Sequence, residues 1–388
     1  MLDQALKTIK RLTVSRHHSG AGENVSAYKL IRQGLPYYLN KNGYAYFPLT
    51  LFFVINGKCN LRCRMCDVGQ QNKDSMFYKN LKGENAQDFP FERFKTLIDE
   101  VHAFKPYIGI TTTEPLLYSH IFDAIKYARA KGMDMNISTN GVLIEKYYKE
   151  IIDSGLHRLS VSLDGPEHIH DKMRGVPGTY ESVLRGLQLL KEEKKMRGSG
   201  RPHIYISSYI TDNNYAYLTE FLENFPLGGI ERINMKLMVF FTKAMVLEHN
   251  KIFQDTYPAT AACVANDFLP ENLDIDKLCS QAKEIKRRFG HICTLHFEAD
   301  KDKLKKYFYR PDKFMDDTRC ILPWFVAQIT AKGDLIALTR CYNVSLGNIM
   351  DKPFKEVWNG QKMRKFRKDL QRLGRFPGCA RCDGVLYR

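Results

Sequence analysis

Three cysteines, Cys59, Cys63 and Cys66, fall within eight residues just after a strongly apolar run, Leu49-Thr50-Leu51-Phe52-Phe53-Val54-Ile55. That run has strand length and β-branched or aromatic content, which predicts a buried strand. Asn56-Gly57 breaks it and leaves the thiols on a loop at the strand's carboxyl end. In a parallel α/β sheet that edge is where ligands bind. Tetrahedral zinc wants a fourth protein ligand nearby, and none follows. Three thiolates instead suit an iron–sulfur cluster with one iron open to an external ligand. A zinc loop or three unrelated thiols are the blander readings, and the spacing favours the cluster.

From the first strand to about residue 240, strand-like and helix-like patterns alternate. Tyr107–Thr111, Asp134–Ser138, Arg158–Leu163, His203–Ile210 and Ile233–Val239 predict the second to sixth strands. Amphipathic runs around 91–104, 119–131, 144–154, 179–196 and 214–224 predict the helices between them. Serial βα units make a parallel sheet with helices outside, and right-handed crossovers curl it into an open barrel. The expected fold class is therefore α/β, a partial (βα)6 TIM-like barrel with a small C-terminal cysteine-rich α+β extension. The expected divisions are a lead-in over 1–48, the barrel over 49–240, a connecting helical region over 241–317 and the extension over 318–388.

Composition narrows the setting. No apolar run approaches the roughly 20 residues needed to cross a bilayer. The start, MLDQALKTIKRL, has no apolar core of a signal peptide. Ten cysteines in such a chain argue for metal or redox chemistry rather than a disulfide framework, and for a cytoplasmic setting. A net charge of +16 points to solvated lysine faces, an anionic substrate or an anionic surface. Leu2, Ala5, Leu6, Ile9 and Leu12 recur at helical spacing among Lys7, Lys10 and Arg11. Such a helix docks on its own domain, with peripheral membrane contact as the alternative. Cys263, Cys279 and Cys293 have no tight spacing and read as buried structural cysteines.

A CxxxCxxC loop after the first strand, followed by βα repeats, resembles the radical S-adenosylmethionine (radical SAM) superfamily. The resemblance implies a [4Fe–4S] cluster on Cys59, Cys63 and Cys66, with S-adenosylmethionine on its open iron. It implies reductive cleavage to a 5′-deoxyadenosyl radical that takes a hydrogen atom from the substrate. It also implies cofactor contacts at the strand ends. Thr112-Thr113-Glu114-Pro115 stands where the family has Gly-Gly-Glu-Pro. Glu114 and Pro115 match, while Thr112 and Thr113 make the backbone less permissive than glycine does. Ser138 and Asn140 follow on the third strand and its loop; Ser162 and Asp164 do so on the fourth. Arg174 is the natural fork for the methionyl carboxylate. Each alone is ordinary turn chemistry, but convergence above one loop favours a site. Met65 stands where the family prefers an aromatic beside adenine.

Cys320, a hairpin turn at Lys332-Gly333-Asp334, Cys341, Leu346-Gly347-Asn348-Ile349, Trp358 and Cys379-Ala380-Arg381-Cys382 follow in order. This order resembles the SPASM/twitch extension of radical SAM enzymes and implies an auxiliary [4Fe–4S] cluster. The full SPASM pattern uses more cysteines. Four thiols favour a one-cluster, twitch-like site on Cys320, Cys341, Cys379 and Cys382, fully ligated and suited to electron transfer. A zinc ribbon held by the same four cysteines is the competitor.

The expected activity is two-electron oxidation or bond formation on a small-molecule or lipid-linked substrate, such as a sugar or aminocyclitol. An electron donor such as flavodoxin or ferredoxin would reduce the cluster. Peptide modification and epimerisation are alternatives within the same chemistry. The non-enzymatic alternative is a zinc-ribbon nucleic-acid-binding protein using the basic helix Gln361–Arg372, and no nucleic acid is expected. No residue stands out as a general base.

Overall fold

A computed structural model describes residues 26–83, 87–263, 272–338 and 341–382. The N-terminal repeat from Leu2 to Leu12 lies outside them. Helix α1 (Ala27–Leu39) starts where the Ser26 hydroxyl accepts the Lys29 N–H, and leads into β1 (Thr50–Phe53). Then come α2 (Met76–Leu81), α3 (Phe91–Val101), β2 (Tyr107–Ile110), α4 (Ile121–Ala130), β3 (Met135–Thr139), α5 (Ile144–Asp153) and β4 (Arg158–Ser162). The chain continues through α6 (Glu167–Arg174), α7 (Thr179–Met196), β5 (His203–Ile210), α8 (Leu218–Asn224) and β6 (Arg232–Leu237). The connecting region holds α9 (Lys243–Phe253), α10 (Ile275–Phe289), β7 (Cys293–Leu295) and α11 (Lys301–Tyr309). The C-terminal part holds β8 (Val326–Ile329), β9 (Leu335–Ile336), α12 (Phe354–Trp358) and α13 (Gln361–Leu373).

The six predicted strands form within a residue or two of their expected positions, and they pair in parallel in chain order from β1 to β6. Helix stripes explain the layer outside them: α3 buries Phe94, Leu97, Ile98 and Val101, which is one face of a 3.6-residue period. The whole sheet runs β7-β6-β5-β4-β3-β2-β1-β8-β9, so among the described residues its two edges stay apart and the barrel is open. Three strands extend it beyond six. Residues Cys293–Leu295, in the illegible connecting region, add parallel to β6. From the C-terminal part, β8 adds parallel to β1, and β9 turns back on β8 through Lys332-Gly333-Asp334 with Gly333 at φ +83°. The extension thus shares one hydrogen-bonded sheet with the barrel, and the division expected at residue 318 does not interrupt it.

The basic helix α13 is docked rather than free. Met363, Phe366 and Leu370 are buried, and Arg367 is 0% exposed. Its guanidinium lies 4.0 Å from the Trp358 ring and donates to Pro323 O at 2.8 Å and Trp358 O at 2.9 Å. Cys263, Cys279 and Cys293 are all buried. Among the described residues no helix is long and apolar enough to cross a membrane.

Candidate active site

Cys59, Cys63 and Cys66 sit between β1 and α2, at the carboxyl ends of the parallel strands. Their loop is clamped from two sides. Arg62 N–H donates to Arg174 O at 3.2 Å and Arg64 N–H to Met173 O at 2.9 Å, using carbonyls that the end of α6 leaves unpaired. From the other side, Gln70 Nε2 donates to Arg62 O at 3.1 Å and Cys63 O at 3.0 Å. Gly69 lets the chain close in, since a Cβ there would stand 2.6 Å from Cys63 N. Cys66 and Cys59 lie near enough to Cys63 to disfavour ionisation of its thiol. Burial pushes the Cys63 thiol up to about 12, opposed by Arg174, whose Nη1 lies 3.8 Å from Cys63 Sγ. Thiols held this way become thiolates when a metal supplies the positive charge.

Glu114 joins three strand ends. Its Oε1 accepts the Thr139 hydroxyl at 2.8 Å and Leu116 N–H at 3.0 Å, and its Oε2 accepts Asn140 N–H at 2.8 Å. Its own N–H donates to Lys58 O at 2.9 Å, and Asn56 Nδ2 donates to Glu114 O at 2.9 Å. Burial pushes the carboxyl up to about 7 against the donors that hold it down. Asn140 carries the connection onward, donating through Nδ2 to Asn60 Oδ1 on the thiol loop at 2.7 Å.

Thr112 and Thr113 adopt φ of +87° and +51°. A β-branched residue there is strained, so the chain keeps a glycine-like backbone without glycine. The Thr113 hydroxyl offsets part of the cost by donating to Thr112 O at 2.6 Å and Asn56 O at 3.0 Å.

Ser138 and Ser162 are half-buried at the ends of β3 and β4. Asp164 is fully buried. Its Oδ2 lies 2.6 Å from Arg174 Nη2, and its Oδ1 accepts Tyr209 N–H at 3.2 Å. Burial works against the Arg174 charge, but Asp164 and Cys63 outweigh it and hold the guanidinium protonated. Arg174 therefore spans Asp164 and the thiol loop, rather than standing free as a carboxylate fork. Behind it, His170 Nδ1 accepts Asp164 N–H at 3.2 Å, and burial keeps the ring neutral by lowering its pKa well below the usual value.

Several buried polar atoms in this cradle, Thr112 Oγ1 and Arg174 Nε among them, have no hydrogen-bond partner among the described residues. Folded interiors rarely leave such atoms bare, so polar ligand atoms belong here. Three thiols, hydroxyls, an amide and a guanidinium fit an iron–sulfur cluster with an amino-acid-bearing nucleoside beside it.

A second group of thiols gathers where the C-terminal part meets α9 and α11. Burial pushes the Cys379 thiol up to about 12, with Cys382 and Cys320 adding to the shift. Cys341 is raised well above the ordinary thiol range, first by its hydrogen bond with Cys382 and then by burial. The Tyr342 hydroxyl lies 3.6 Å from Cys379 Sγ, and its ring stacks on His249 at 4.6 Å. Arg381, inside the CxxC, donates to Tyr307 O, Lys313 O, Ala380 O, Lys306 O and Arg310 O at 2.7–2.8 Å. One arginine thus satisfies the carbonyls at the end of α11 and pins the CxxC turn to it. Among the described residues no group of three or more His, Cys, Asp or Glu side chains is arranged for a single metal ion.

The radical SAM superfamily model matches residues 53–208, and an iron–sulfur cluster-binding domain of SPASM type matches residues 320–383. The chain belongs to the radical SAM superfamily. As a member with a SPASM domain it uses a [4Fe–4S] cluster with S-adenosylmethionine and carries auxiliary iron–sulfur binding. It is 25% identical over 338 residues to an AdoMet-dependent heme synthase from Oleidesulfovibrio alaskensis, covering 85% of this chain and 78% of that enzyme. It is 38% identical over 138 residues to an Fe-coproporphyrin III synthase from Methanosarcina barkeri, a match spanning 35% of this chain and 32% of that enzyme. Among solved structures, Streptococcus suis SuiB superposes with a TM-score of 0.57 at 15% identity, covering 93% of this chain and 79% of that one. That likeness speaks for the fold.

Of the eight residues expected from the sequence, Thr112, Thr113 and Glu114 follow β2, Asn140 and Asp164 follow β3 and β4, Ser138 and Ser162 lie at the carboxyl ends of those two strands, and Arg174 ends α6, paired with Asp164. Asn56 and Asn60, which position them, were missed, because single polar residues in loops carry no periodic signal. His249, on α9, was missed because the connecting region had been given no role, and Arg381 was read only as a member of the CxxC turn.

Proposed function

We propose that this radical SAM enzyme carries out a two-electron oxidation of a small molecule, with the thiols of Cys59, Cys63 and Cys66 holding the S-adenosylmethionine cluster. Cys320, Cys341, Cys379 and Cys382 would hold one fully ligated auxiliary cluster. Once loaded, the cofactors supply a 5′-deoxyadenosyl radical that takes a hydrogen atom from a substrate carbon, and an acceptor for the one electron left when that carbon radical also releases a proton. The observation that carries the reading is the gathering of the four C-terminal thiols in a domain whose β8 pairs directly with β1, the strand leading to the first three. Within the barrel, Glu114 and Asn140 hold the thiol loop in register, Arg174 and Asp164 fix its charge, and the hydroxyls of Ser138 and Ser162 would meet the nucleoside. The likeness to an AdoMet-dependent heme synthase over most of the chain supports a small-molecule substrate and makes a tetrapyrrole one of the classes to test. An electron donor such as flavodoxin or ferredoxin would start each cycle.

Anaerobic reconstitution tests this. The wild type should hold about eight irons and Cys59/Cys63/Cys66→Ala about four. The variant Cys379/Cys382→Ala should still release 5′-deoxyadenosine from S-adenosylmethionine but lose the oxidised product. Iron near zero in the triple variant would remove the auxiliary cluster, and with it the electron acceptor.

A further inference from the structure

One phenol is enclosed beside the C-terminal thiols. Tyr342, next to Cys341, is 3% exposed, and among the described residues its hydroxyl has a single hydrogen-bond partner, Cys379 Sγ at 3.6 Å. The ring is held from both sides. It stacks on His249 with centroids 4.6 Å apart and planes 11° from parallel, and it meets the Phe376 ring edge-on at 5.7 Å. His249 is buried and fixed in turn. Its Nδ1 accepts Gly378 N–H at 3.4 Å, so Nε2 carries the proton donated to Tyr257 O at 2.8 Å. Gly378 lets the turn before Cys379 come this close, since a Cβ there would stand 2.3 Å from the Phe241 ring and 3.4 Å from His249 Nδ1. Two rings and the CxxC turn therefore fix the phenol against the sulfur.

A neutral thiol is a weak acceptor, so this buried hydroxyl is poorly served while Cys379 keeps its proton. A thiolate sulfur makes the same bond charge-assisted and about twice as strong. The phenol thus suits the site once it is loaded, when metal has displaced the thiol proton. Neighbouring cations are engaged elsewhere. Arg375, whose charge reaches Cys379 and Cys320, pairs with Asp316 at 3.4 Å, and Arg381 turns its donors to main-chain carbonyls.

We infer that Tyr342 donates a hydrogen bond to the Cys379 sulfur of the loaded auxiliary cluster and so raises its reduction potential. Reduction adds negative charge, and a donor aimed at a ligating sulfur favours the state with one more electron. A higher potential makes this cluster the readier acceptor. The inference rests on the oxidative reading above. There the carbon radical gives up one electron to this cluster and one proton to water, and an oxidised flavodoxin or ferredoxin then clears the electron. Tyr342 is a positioning residue in that scheme, since it touches a ligand of the acceptor and not the substrate.

The test is anaerobic potentiometry, read by electron paramagnetic resonance, on the full chain carrying Cys59/Cys63/Cys66→Ala, so that the auxiliary cluster alone gives the signal. Adding Tyr342→Phe keeps the stacked ring and should keep about four irons. The one-electron equilibrium should become about ten-fold less favourable, a midpoint about 59 mV lower. A difluorotyrosine in place of Tyr342 is a more acidic phenol and a stronger donor. It should move the midpoint the opposite way, and it decides alone if Tyr342→Phe loses iron. Tyr257→Phe, which removes a hydroxyl that donates to Asp369 Oδ2 at 2.8 Å, should leave the midpoint where it is. Equal midpoints for the parent, Tyr342→Phe and the difluorotyrosine protein overturn the inference. So does an equal fall in Tyr257→Phe, which would make the shift a packing effect. Failure of the oxidative reading looks different: the midpoint responds to Tyr342, yet the wild type forms no oxidised product. Iron near zero in the triple-alanine chain removes the cluster and overturns both.

Discussion

A Cβ on Gly175 would sit 2.4 Å from the carbonyl oxygen of Arg62. The end of α6 is thereby pressed onto the thiol loop, next to the hydrogen bond from Arg62 N–H to Arg174 O.

Gly175→Ala should therefore empty the first cluster site without touching a cysteine. The residue is at φ +71°, where alanine costs about 1 kcal/mol, and its methyl would meet backbone that no rotamer change can move aside. Iron counts should fall by about four, with the C-terminal site still loaded. A full iron complement in this variant would show that the clamp is not needed.

Thr112→Gly should stabilise the apoprotein. It removes a β-branched side chain from φ +87°, and the buried hydroxyl it deletes has no partner among the described residues. Relief of strain, less the added freedom of the unfolded chain, should amount to about 1 kcal/mol. Thr113→Gly should gain less, because the bond from its hydroxyl to Asn56 O goes with it. Urea unfolding midpoints decide between these outcomes, and a Thr112→Gly protein less stable than the wild type would contradict the strain argument.

Glu114 should leave a mark on the pH dependence of stability. Its carboxyl is raised from 4.5 to about 7 by burial, so the folded chain holds a proton that the unfolded chain has released. The contribution is fully present below about pH 4.5 and is lost as pH rises through about 7. From pH 5 to 7 the wild-type apoprotein should lose about 2 kcal/mol through this group alone. Glu114→Gln should flatten that slope, at a cost from the mismatch of an amide N–H with Asn140 N–H. Parallel slopes for the two proteins in urea titrations would rule the assignment out.

Arg381→Ala should loosen the C-terminal site before the barrel. Four carbonyls at and beyond the end of α11 lose their donor, which should cost about 3 kcal/mol or more. Arg381→Lys should rescue little, since one ammonium has neither the reach nor the five donors of the fork. The readout is iron retained after gel filtration, with about four irons kept by the barrel site. Unchanged thermal stability and iron content would make the arginine dispensable.

Much of the fold was legible because the signals were local. Apolar or alternating runs such as Thr50–Phe53 and Arg158–Ser162, and helix stripes such as Phe94, Leu97, Ile98 and Val101, report which face is buried within a few residues. Short elements escaped this reading. A three-residue strand like Cys293–Leu295, or helices of six to eight residues like α2 and α6, are too brief to show a period. The thiol motif was likewise local, with its spacing carried on one loop.

By itself the sequence determined the strand order, the place of both sets of thiols and the cationic balance, because each depends on neighbours along the chain. Tertiary structure alone decided how those thiols are held. Glu114 reaches Asn140 across 26 residues, Arg174 reaches Cys63 across 111, and Gly378 N–H reaches His249 Nδ1 across 129. It also decided that β8 closes onto β1 and that the Tyr342 hydroxyl meets Cys379 Sγ across 37 residues. Such contacts link positions with no shared periodicity, and their energy exists only once the sheet has brought distant strand ends to one edge.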